Sequence, residues 1–352
     1  LHKEYRRQRQ MCIRDRQRGL YRRSPKWIAP KPNQGKTPTK ISRLALIGAG
    51  GVGLNIAHLA ANRDMASEIA LIDVAPGVAE ATALDLNHAS GITRSGAHVR
   101  GGTDFDLIAD AQVIVITAGR PRSPGMSRAD LTAINRTVVH SISESIRTHA
   151  PNSIVIVVTN PLDEMTMTAL QTTDFPNHRV IGMAGTLDSS RFRWELAQKA
   201  GVAITDVEAV TLGSHGAEMV PIVSTALIRN KPATTILSEN ELQACVESTL
   251  RGGESIVELR KTGSAILAPA HAVCELLDAI RGAKPDAVPA SVMLNGEYGI
   301  HDVVLGVPCL FNSGGLREII ELPITDEEQI LLKTAAESVR DRLAQISDNQ
   351  PR

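Results

Sequence analysis

The 352-residue sequence predicts an α/β fold, in which a doubly wound parallel sheet is followed by a mixed α+β domain. Two observations predict the doubly wound part. Short runs of Val, Ile and Leu have no polar face, which is typical of strands that are covered on both sides. Segments with helical spacing alternate with these runs, and that alternation indicates parallel strands joined by helices. In the second half, long helical segments accompany shorter apolar runs, so a mixed architecture is expected there.

The elements of the first half alternate regularly along the chain. The predicted strands are RLALIG (43–48), EIALID (68–73), QVIVIT (112–117) and SIVIVV (153–158). The predicted helices are 51–62, 78–89 and a long stretch between the last two strands. The first two strands are short apolar runs and the last two are continuous β-branched runs, whereas the helices carry their apolar residues at a helical spacing, and this contrast separates the two classes.

The second half begins near GMAGTLD (182–188), which divides the chain into predicted domains of residues 41–185 and 186–347. DSSRFRWELAQKAG (188–201) is predicted as a helix that ends at Gly201, because glycine accepts the left-handed conformation common after a helix. The other predicted helices are 239–260, 264–280 and 325–347, and the predicted strands are 207–213, 219–228, 290–296 and 302–308.

Residues 1–40 differ from the rest of the chain. They contain thirteen Lys and Arg against two acidic residues and have no usable apolar period, so we expect them to be disordered. An Arg-rich leader is also typical of organellar transit peptides, but this one is poor in Ser and not visibly amphipathic. Because MCIRDR (11–16) resembles the translation of a transposase end sequence used to prepare sequencing libraries, we favour a non-native segment and assign it no function.

Charge and cysteine usage exclude several classes of function. Beyond the leader, the chain has 25 basic and 36 acidic residues, which argues against binding to nucleic acid. The four cysteines lie far apart and form no C-x-x-C pair, so no metal site and a reduced, cytosol-like compartment are expected. The most apolar run, residues 44–62, contains four glycines together with Asn55 and His58, and no membrane-spanning helix is therefore predicted.

A glycine motif, GAGGVG (48–53), lies between a predicted strand and a predicted helix. Gly48 permits a tight turn, Gly50 lets the backbone approach a pyrophosphate, and Gly53 allows close packing of helix on strand. Asp73 ends the next strand, twenty residues beyond Gly53, where a carboxylate can bind ribose hydroxyls and repel an extra phosphate. The motif predicts a Rossmann domain that prefers NAD to NADP, although small residues at such a corner also serve packing alone.

Three candidate residues for chemistry lie in the second half. His215 follows an apolar run and has Gly213 and Gly216 close by, which leaves its ring accessible for proton transfer. Asp188 and Arg191 are one helical turn apart. They form either an ion pair near a helix N-terminus, or an orienter for His215 and a fork for a carboxylate, and spacing alone does not decide between these.

Two loops complete the candidate site. Asn160 follows the strand at 153–158, at the edge of the sheet where ligands bind, although it could equally begin a simple turn. GRPRSPGMSR (119–128) contains Arg120, Arg122 and Arg128, with no acidic residue before Asp130. This loop is either a solvated segment or a lid that closes over an anion and expels water.

These motifs occur in the order found in the lactate/malate dehydrogenase family, which the chain resembles over about residues 41–347. The resemblance is greatest to the bacterial lactate-dehydrogenase-like malate dehydrogenases. The matching segments are GAGGVG, LIDV, TAGRPRSPGMSRADL, VVTNPLDEMT, GMAGTLDSSRFR, LGSHGAEMVP, KTGSAILAPA and GEYGIHDVVLGVP. The resemblance implies hydride transfer between NAD and a 2-hydroxy acid, with the NAD-binding Rossmann domain followed by a mixed α+β catalytic domain.

The resemblance also implies a role for each candidate residue. His215 corresponds to the proton acceptor, Asp188 to its partner, and Arg191 to the residue that binds the first carboxylate of the substrate. Asn160 corresponds to a residue that contacts both substrate and cofactor. The positions that correspond to cofactor contacts are Gly48, Ala49, Gly50, Gly51, Val52, Gly53, Asp73, Asn135, Val158, Thr159 and Asn160.

The loop at residues 119–128 indicates which substrate to expect. Arg128 aligns with the arginine that polarises the reacting carbonyl, and Arg122 with the position where lactate enzymes tend to have Gln and malate enzymes Arg. An arginine sealed into the site needs a second carboxylate as partner, so a dicarboxylate substrate, malate, is expected. A lactate or other 2-hydroxyacid dehydrogenase, and a non-catalytic NAD-binding scaffold, are the alternatives. Arg120 has no assigned role.

One departure from the family concerns the histidine motif, which usually continues Gly-Asp but here continues Gly216-Ala217-Glu218. We therefore expect either the local tuning of His215 or the support of the loop around it to differ in this chain. The family resemblance further implies a homodimer or homotetramer. The expected location is cytoplasmic, and mitochondrial only if the basic leader is a genuine transit segment.

Overall fold

The computed structural model describes residues 38–121, 128–261 and 263–348. Most of the expected disordered leader, residues 1–37, lies outside the described residues, as does Arg122. Of Arg128 only its place at the start of a helix is described. The predictions made for these residues therefore stay predictions.

The first half forms the parallel part of the sheet, with strand order β3-β2-β1-β4-β5-β6. All neighbours in this order are parallel, and helices connect most of them, so the predicted doubly wound architecture is confirmed. The strands are β1 (Ile41–Ile47), β2 (Ala66–Ile72), β3 (His98–Gly102), β4 (Val113–Ile116), β5 (Ile154–Val157) and β6 (Val180–Gly182). The helices are α1 (Gly51–Asn62), α2 (Val78–Thr93), α3 (Arg128–His149) and α4 (Leu162–Thr173).

The second half extends the same sheet with antiparallel strands. Strand β6 pairs with β12 through Gly182 and Ser291, and the order continues β12-β13-β8-β9, with β14 also paired to β13. A separate three-stranded sheet has the order β11-β10-β7. These strands are β7 (Val207–Glu208), β8 (Thr211–Gly213), β9 (Met219–Pro221), β10 (Leu227–Ile228), β11 (Lys231–Pro232), β12 (Val288–Asn295), β13 (His301–Asn312) and β14 (Gly315–Ile319). The helices are α5 (Gly185–Ala200), α6 (Glu239–Arg260), α7 (Leu267–Ile280) and α8 (Asp326–Asp348).

Two predicted strands of the second half are wrong in extent. The segment 219–228 divides into β9 and β10, which belong to different sheets, and 207–213 divides into β7 and β8. Pro221 has no N–H to donate to a ladder, and the amide of Ala226 bonds back to Val223 in a turn, so a single strand cannot continue. Apolar content therefore marked these residues as buried without fixing where each strand ended.

Alternating side chains of the parallel strands enter two different cores, which explains why these strands have no polar face. In β1, Leu44 and Leu46 belong to the core on one side of the sheet, whereas Ala45 and Ile47 belong to the core on the other. A third apolar cluster around Phe192 packs α5 against the small sheet and α6. The sheet is thus fixed on both faces, and its carboxyl edge presents the loops that carry polar residues.

No helix within the described ranges is long and apolar enough to cross a bilayer. Among these same residues, no cluster of three or more His, Cys, Asp or Glu side chains is arranged to hold a metal ion.

Candidate active site

The glycine motif forms the turn between β1 and α1. Gly48 has a φ of +110°, a conformation that favours glycine. A methyl group on Gly53 would lie 1.9 Å from the carbonyl oxygen of Gly48, so only hydrogen fits where the helix approaches the strand. A methyl group on Gly50, the N-cap of α1, would meet no atom of the described residues within 4 Å. The N-terminal amides of α1 are therefore approachable by an anion, as a pyrophosphate site requires.

The carboxylate of Asp73 lies beside this turn, at the end of β2. Its Oδ2 accepts a hydrogen bond from the amide of Ala49 at 2.7 Å, and its Oδ1 accepts one from the amide of Ala75 at 3.0 Å. Both oxygens keep a further lone pair, so the carboxylate can still accept from ribose hydroxyls. A methyl group on Gly51 would meet Ile266, just before α7, at 2.9 Å. Sequence reasoning did not single out Ile266, because the chain brings it to the turn from more than two hundred residues away.

Asn135 of α3 connects the two loops at the neighbouring edge of the sheet. Its Oδ1 accepts from the amide of Arg120 at 2.7 Å, and its Nδ2 donates to the carbonyls of Arg120 (3.2 Å) and Asn160 (2.7 Å). Thr159 adds a bond from its hydroxyl to the carbonyl of Ala118. Asn135 is buried and Val158 half-buried, whereas Asn160 is exposed. The side chain of Asn135 is thus engaged with backbone, and Asn160 presents its own side chain.

His215, Asp188 and Arg191 lie together although they come from two separate elements. The Nδ1 of His215, between β8 and β9, is 2.8 Å from Oδ2 of Asp188, and Nη1 of Arg191 donates to Oδ1 of Asp188 at 2.9 Å. Asp188 and Arg191 are both in α5. Asp188 therefore forms the i,i+3 ion pair and also bonds the imidazole, so these two contacts do not exclude each other. The role of Arg191 as a fork for a carboxylate stays a prediction.

The electrostatic surroundings of His215 favour its protonated form. Burial disfavours the imidazolium, but the negative charge of Asp188 and its hydrogen bond outweigh burial, and the pKa of His215 lies above its ordinary value. Arg191 opposes this increase, and Asp163 adds to it. Because Nδ1 faces a carboxylate, Nε2 is the ring atom left to exchange a proton.

Asp163, which sequence reasoning missed, fixes the main chain of His215. At the start of α4, its Oδ2 accepts from the amide of His215 at 2.8 Å, and its Oδ1 accepts from the hydroxyl of Ser291 at 3.0 Å. Burial, and next the charge of Glu164, raise the pKa of Asp163 to about 6, although these two hydrogen bonds oppose the increase. The available signal was an acidic residue directly after a buried strand and turn, within VVTNPLD.

The fold and the site define a class: a two-part α/β enzyme with a dinucleotide-binding turn and a histidine equipped for acid–base chemistry. Two family sequence models match the chain. They describe the lactate/malate dehydrogenase NAD binding domain, over residues 42–182, and the lactate/malate dehydrogenase alpha/beta C-terminal domain, over residues 185–350. The chain belongs to the lactate/malate dehydrogenase family. The predicted family, fold class and NAD cofactor are confirmed.

The match to individual relatives extends over nearly the whole length of those proteins. The malate dehydrogenase of Roseiflexus sp. (strain RS-1) is 40% identical over 304 residues, which are 86% of this chain and 98% of that protein. The malate dehydrogenase 1 of Anaeromyxobacter dehalogenans is 40% identical over 305 residues, which are 86% of this chain and 97% of that protein.

Among solved structures, a malate dehydrogenase and a lactate dehydrogenase are similar to this chain to the same degree. The malate dehydrogenase of Cryptosporidium parvum has a TM-score of 0.84 at 32% identity, covering 88% of this chain and 99% of that one. The lactate dehydrogenase of the same organism, complexed with lactic acid and β-nicotinamide adenine dinucleotide, has a TM-score of 0.85 at 33% identity, covering 89% and 100%. Backbone similarity alone therefore does not separate malate from lactate enzymes.

Proposed function

We propose that this chain is an NAD-dependent malate dehydrogenase, which interconverts malate and oxaloacetate. The observation that carries the proposal is the contact of His215 and Arg191 with one buried carboxylate, Asp188. This arrangement offers a proton acceptor and a carboxylate-binding cation side by side. The names of the curated relatives, malate dehydrogenase at about 40% identity, support the choice of reaction.

In the proposed mechanism, His215 is the general base and general acid for the substrate hydroxyl. Nε2 accepts this proton during oxidation of malate and returns it during reduction of oxaloacetate. Asp188 orients the ring through Nδ1 and stabilises the imidazolium that forms, in agreement with the raised pKa of His215. Hydride transfer to and from the same carbon is the chemistry that the bound nicotinamide cofactor supplies. The proton and the electron pair thus leave the substrate by separate routes.

The substrate is proposed to be bound by three cations and one amide. Arg191 engages Asp188 through Nη1 and has further N–H groups available for the first carboxylate. Asn160 contacts substrate and cofactor, Arg128 polarises the carbonyl, and Arg122 pairs with the second carboxylate. We assign cofactor contacts to the Gly48–Gly53 turn, to Asp73, and to the stretch from Val158 to Asn160, with Asn135 arranging the latter.

The second candidate function is a lactate dehydrogenase, which the similarity to a lactate enzyme of the same fold keeps open. A non-catalytic scaffold is disfavoured, because a scaffold has no need of a histidine bonded to a buried acid. Arg122 is the residue that separates malate from lactate in this proposal, because closure of the loop over pyruvate would leave its charge without a partner.

The decisive experiment replaces Arg122 with Gln. We expect the ratio of kcat/KM for oxaloacetate to that for pyruvate to fall by at least about 100-fold, because a neutral amide no longer requires a second carboxylate. Steady-state rates on both keto acids measure the ratio. Arg120→Gln is the matched control, since it removes an exposed arginine of the same loop and should leave the ratio unchanged. An unchanged ratio in Arg122→Gln would refute the malate assignment.

We also propose a cytoplasmic homodimer or homotetramer. Large apolar side chains are exposed on six described helices, among them Leu84 (58%) and Ile92 (86%) of α2 and Trp194 (52%) of α5, which supports burial between subunits. Light scattering of the purified protein measures the oligomeric state. The domain division at residues 185 and 186, and the exclusion of residues 1–40, likewise remain proposals.

A further inference from the structure

Glu218 lies in the loop that carries His215, where this chain departs from the usual Gly-Asp of the family. Its Oε2 accepts a hydrogen bond from the hydroxyl of Ser214 at 3.2 Å, and its Oε1 is 3.3 Å from Nη1 of Arg342. Ser214 directly precedes His215. The carboxylate thus connects the neighbour of the histidine to an arginine of α8, near the far end of the chain.

Arg342 contacts a second carboxylate at the same time. Its Nε donates to Oε1 of Glu164 at 2.5 Å, and the side chain of Glu164 is only 2% exposed. Glu164 follows Asp163 in the first turn of α4, and Asp163 accepts the amide of His215. One guanidinium therefore joins the helix that fixes the main chain of His215 to the loop that bears it.

The chemistry of this cluster suits a rigid connection. A guanidinium is planar and presents its N–H groups in fixed directions, so bonds from Nε and Nη1 fix both carboxylates relative to each other. Arg342 is also mostly buried, at 17% exposed, where water competes weakly for these bonds. Its positive charge also offsets the negative charge of Glu164, which adjoins Asp163 and raises the pKa of that acid.

We propose that Arg342 is a positioning residue for catalysis: through Glu218 and Glu164 it fixes the loop of His215 against α4. This inference rests on the proposed function for its kinetic consequence, but not for its structural one. The contacts of Arg342 end at Glu218, three residues after His215, and at Glu164, which adjoins Asp163, so Arg342 acts on the histidine through these neighbours. The C-terminal helix thereby contributes to the placement of a ring whose atoms must meet the substrate within a narrow range of distance.

The experiment compares Arg342→Leu, Glu218→Gln and the double variant with the unmodified enzyme. We expect kcat for oxaloacetate reduction to fall about 10- to 100-fold in Arg342→Leu and less in Glu218→Gln, because a small displacement of a catalytic group costs rate. The dissociation constant for NADH, measured by fluorescence, should change less than about twofold. The double variant should lose little beyond Arg342→Leu, since the two residues act through one connection. Arg342→Lys should recover part of kcat by restoring the charge.

Arg340→Leu is the matched control, because it removes an exposed arginine of the same helix that bonds to the carbonyl of His301 instead. A measurement without substrate accompanies the kinetics: hydrogen exchange of the segment 211–221. Exchange there should increase in Arg342→Leu and Glu218→Gln and stay unchanged in 41–72. Glu218→Gln preserves the buried pair of Arg342 with Glu164, so it tests the connection if Arg342→Leu folds poorly.

The possible outcomes separate the two proposals. Faster exchange in 211–221 with reduced kcat supports positioning. Unchanged kcat and unchanged local exchange in Glu218→Gln, or an increase in exchange spread over the whole chain, would overturn it. If the unmodified enzyme reduces neither oxaloacetate nor pyruvate, the proposed function fails, and hydrogen exchange alone still decides whether Arg342 fixes the loop.

Discussion

The glycine turn and the histidine loop both place functional groups at the site, but different forces fix them. The turn depends on the absence of side chains: at Gly53 only hydrogen fits against the carbonyl of Gly48. The histidine loop depends on charged side chains, since Asp188 bonds the ring of His215 and Asp163 bonds its amide. A turn fixed by steric fit should fail when atoms are added. A loop fixed by buried charge should respond to isosteric changes that leave its shape intact.

Asp188→Asn is expected to have the largest effect. The amide keeps the size of the side chain but cannot stabilise the imidazolium, so kcat should fall by about 10³- to 10⁴-fold. Because Asp188 raises the pKa of His215, its loss should lower that pKa. Malate oxidation needs the neutral ring, and oxaloacetate reduction needs the protonated ring. The pH at which kcat/KM changes with the protonation of His215 should therefore be lower in the variant for both reactions. The pH dependence of kcat/KM in both directions measures this shift.

A matched acid on the surface provides the control for Asp188. Asp206→Asn removes a carboxylate that pairs with the exposed Arg229 and should leave both pH profiles in place. If the profiles of Asp188→Asn did not move, the ion pair with Arg191 rather than the bond to His215 would be the main role of this acid.

Replacing two glycines with alanine tests whether steric fit fixes the glycine turn. Gly53→Ala should lower the free energy of unfolding by about 1–3 kcal/mol and weaken NADH binding, because its methyl group collides with backbone. Gly50→Ala should weaken NADH binding with little change in stability, because its methyl group meets no described atom but lies at the proposed pyrophosphate site. Thermal unfolding and NADH fluorescence titration measure the two effects.

Gly91→Ala is the control for these variants, because a methyl group there also meets no described atom and lies on α2 instead of the turn. It should leave NADH binding unchanged. Equal losses of stability in Gly50→Ala and Gly53→Ala would mean that fit against the strand is not what distinguishes the two glycines.

The same comparison explains how much the sequence could predict. The glycine turn is local: its residues are consecutive, and Asp73 follows at a fixed spacing, so a pattern in the sequence describes the site. The strands β1, β2, β4 and β5 were predictable for a similar reason, since burial on both faces leaves each of them with four consecutive apolar residues. The short β6 carries too few residues for such a pattern.

The support of His215 was only partly predictable, because the residues that form it come from four distant segments. Asp163, Asp188, Ser291 and Arg342 meet only when the sheet continues from β6 into β12 and α8 packs beside it. Charged residues at such positions look the same in sequence as those on a solvated helix face. The spacing and the family resemblance supplied Asp188 but not the cluster of Glu218, Glu164 and Arg342, whose members come from three separate segments.

Asp163→Asn should have the smallest effect on kcat and the clearest effect on the pH dependence of the free energy of unfolding. Its amide oxygen can still accept from the amide of His215, so kcat should change less than about tenfold. The pKa of Asp163 is raised in the folded state, so its contribution to stability is greatest below its unfolded pKa near 4 and is lost as the pH rises through about 6. The variant should therefore gain stability over the unmodified enzyme at pH 8, by as much as about 3 kcal/mol, and lose this gain near pH 4.

Ser291→Ala gives the opposite sign and so isolates the buried charge as the cause. The hydroxyl of Ser291 donates to Asp163 and opposes the increase of its pKa, so removing it should make the ionised carboxylate less stable and lower the stability at pH 8. Urea unfolding at pH 5 and pH 8, at one protein concentration, measures both variants. A gain of Asp163→Asn that is equal at both pH values would indicate altered packing instead of a removed charge. The histidine loop would then depend on steric fit as the glycine turn does, and the contrast between the two regions would not hold.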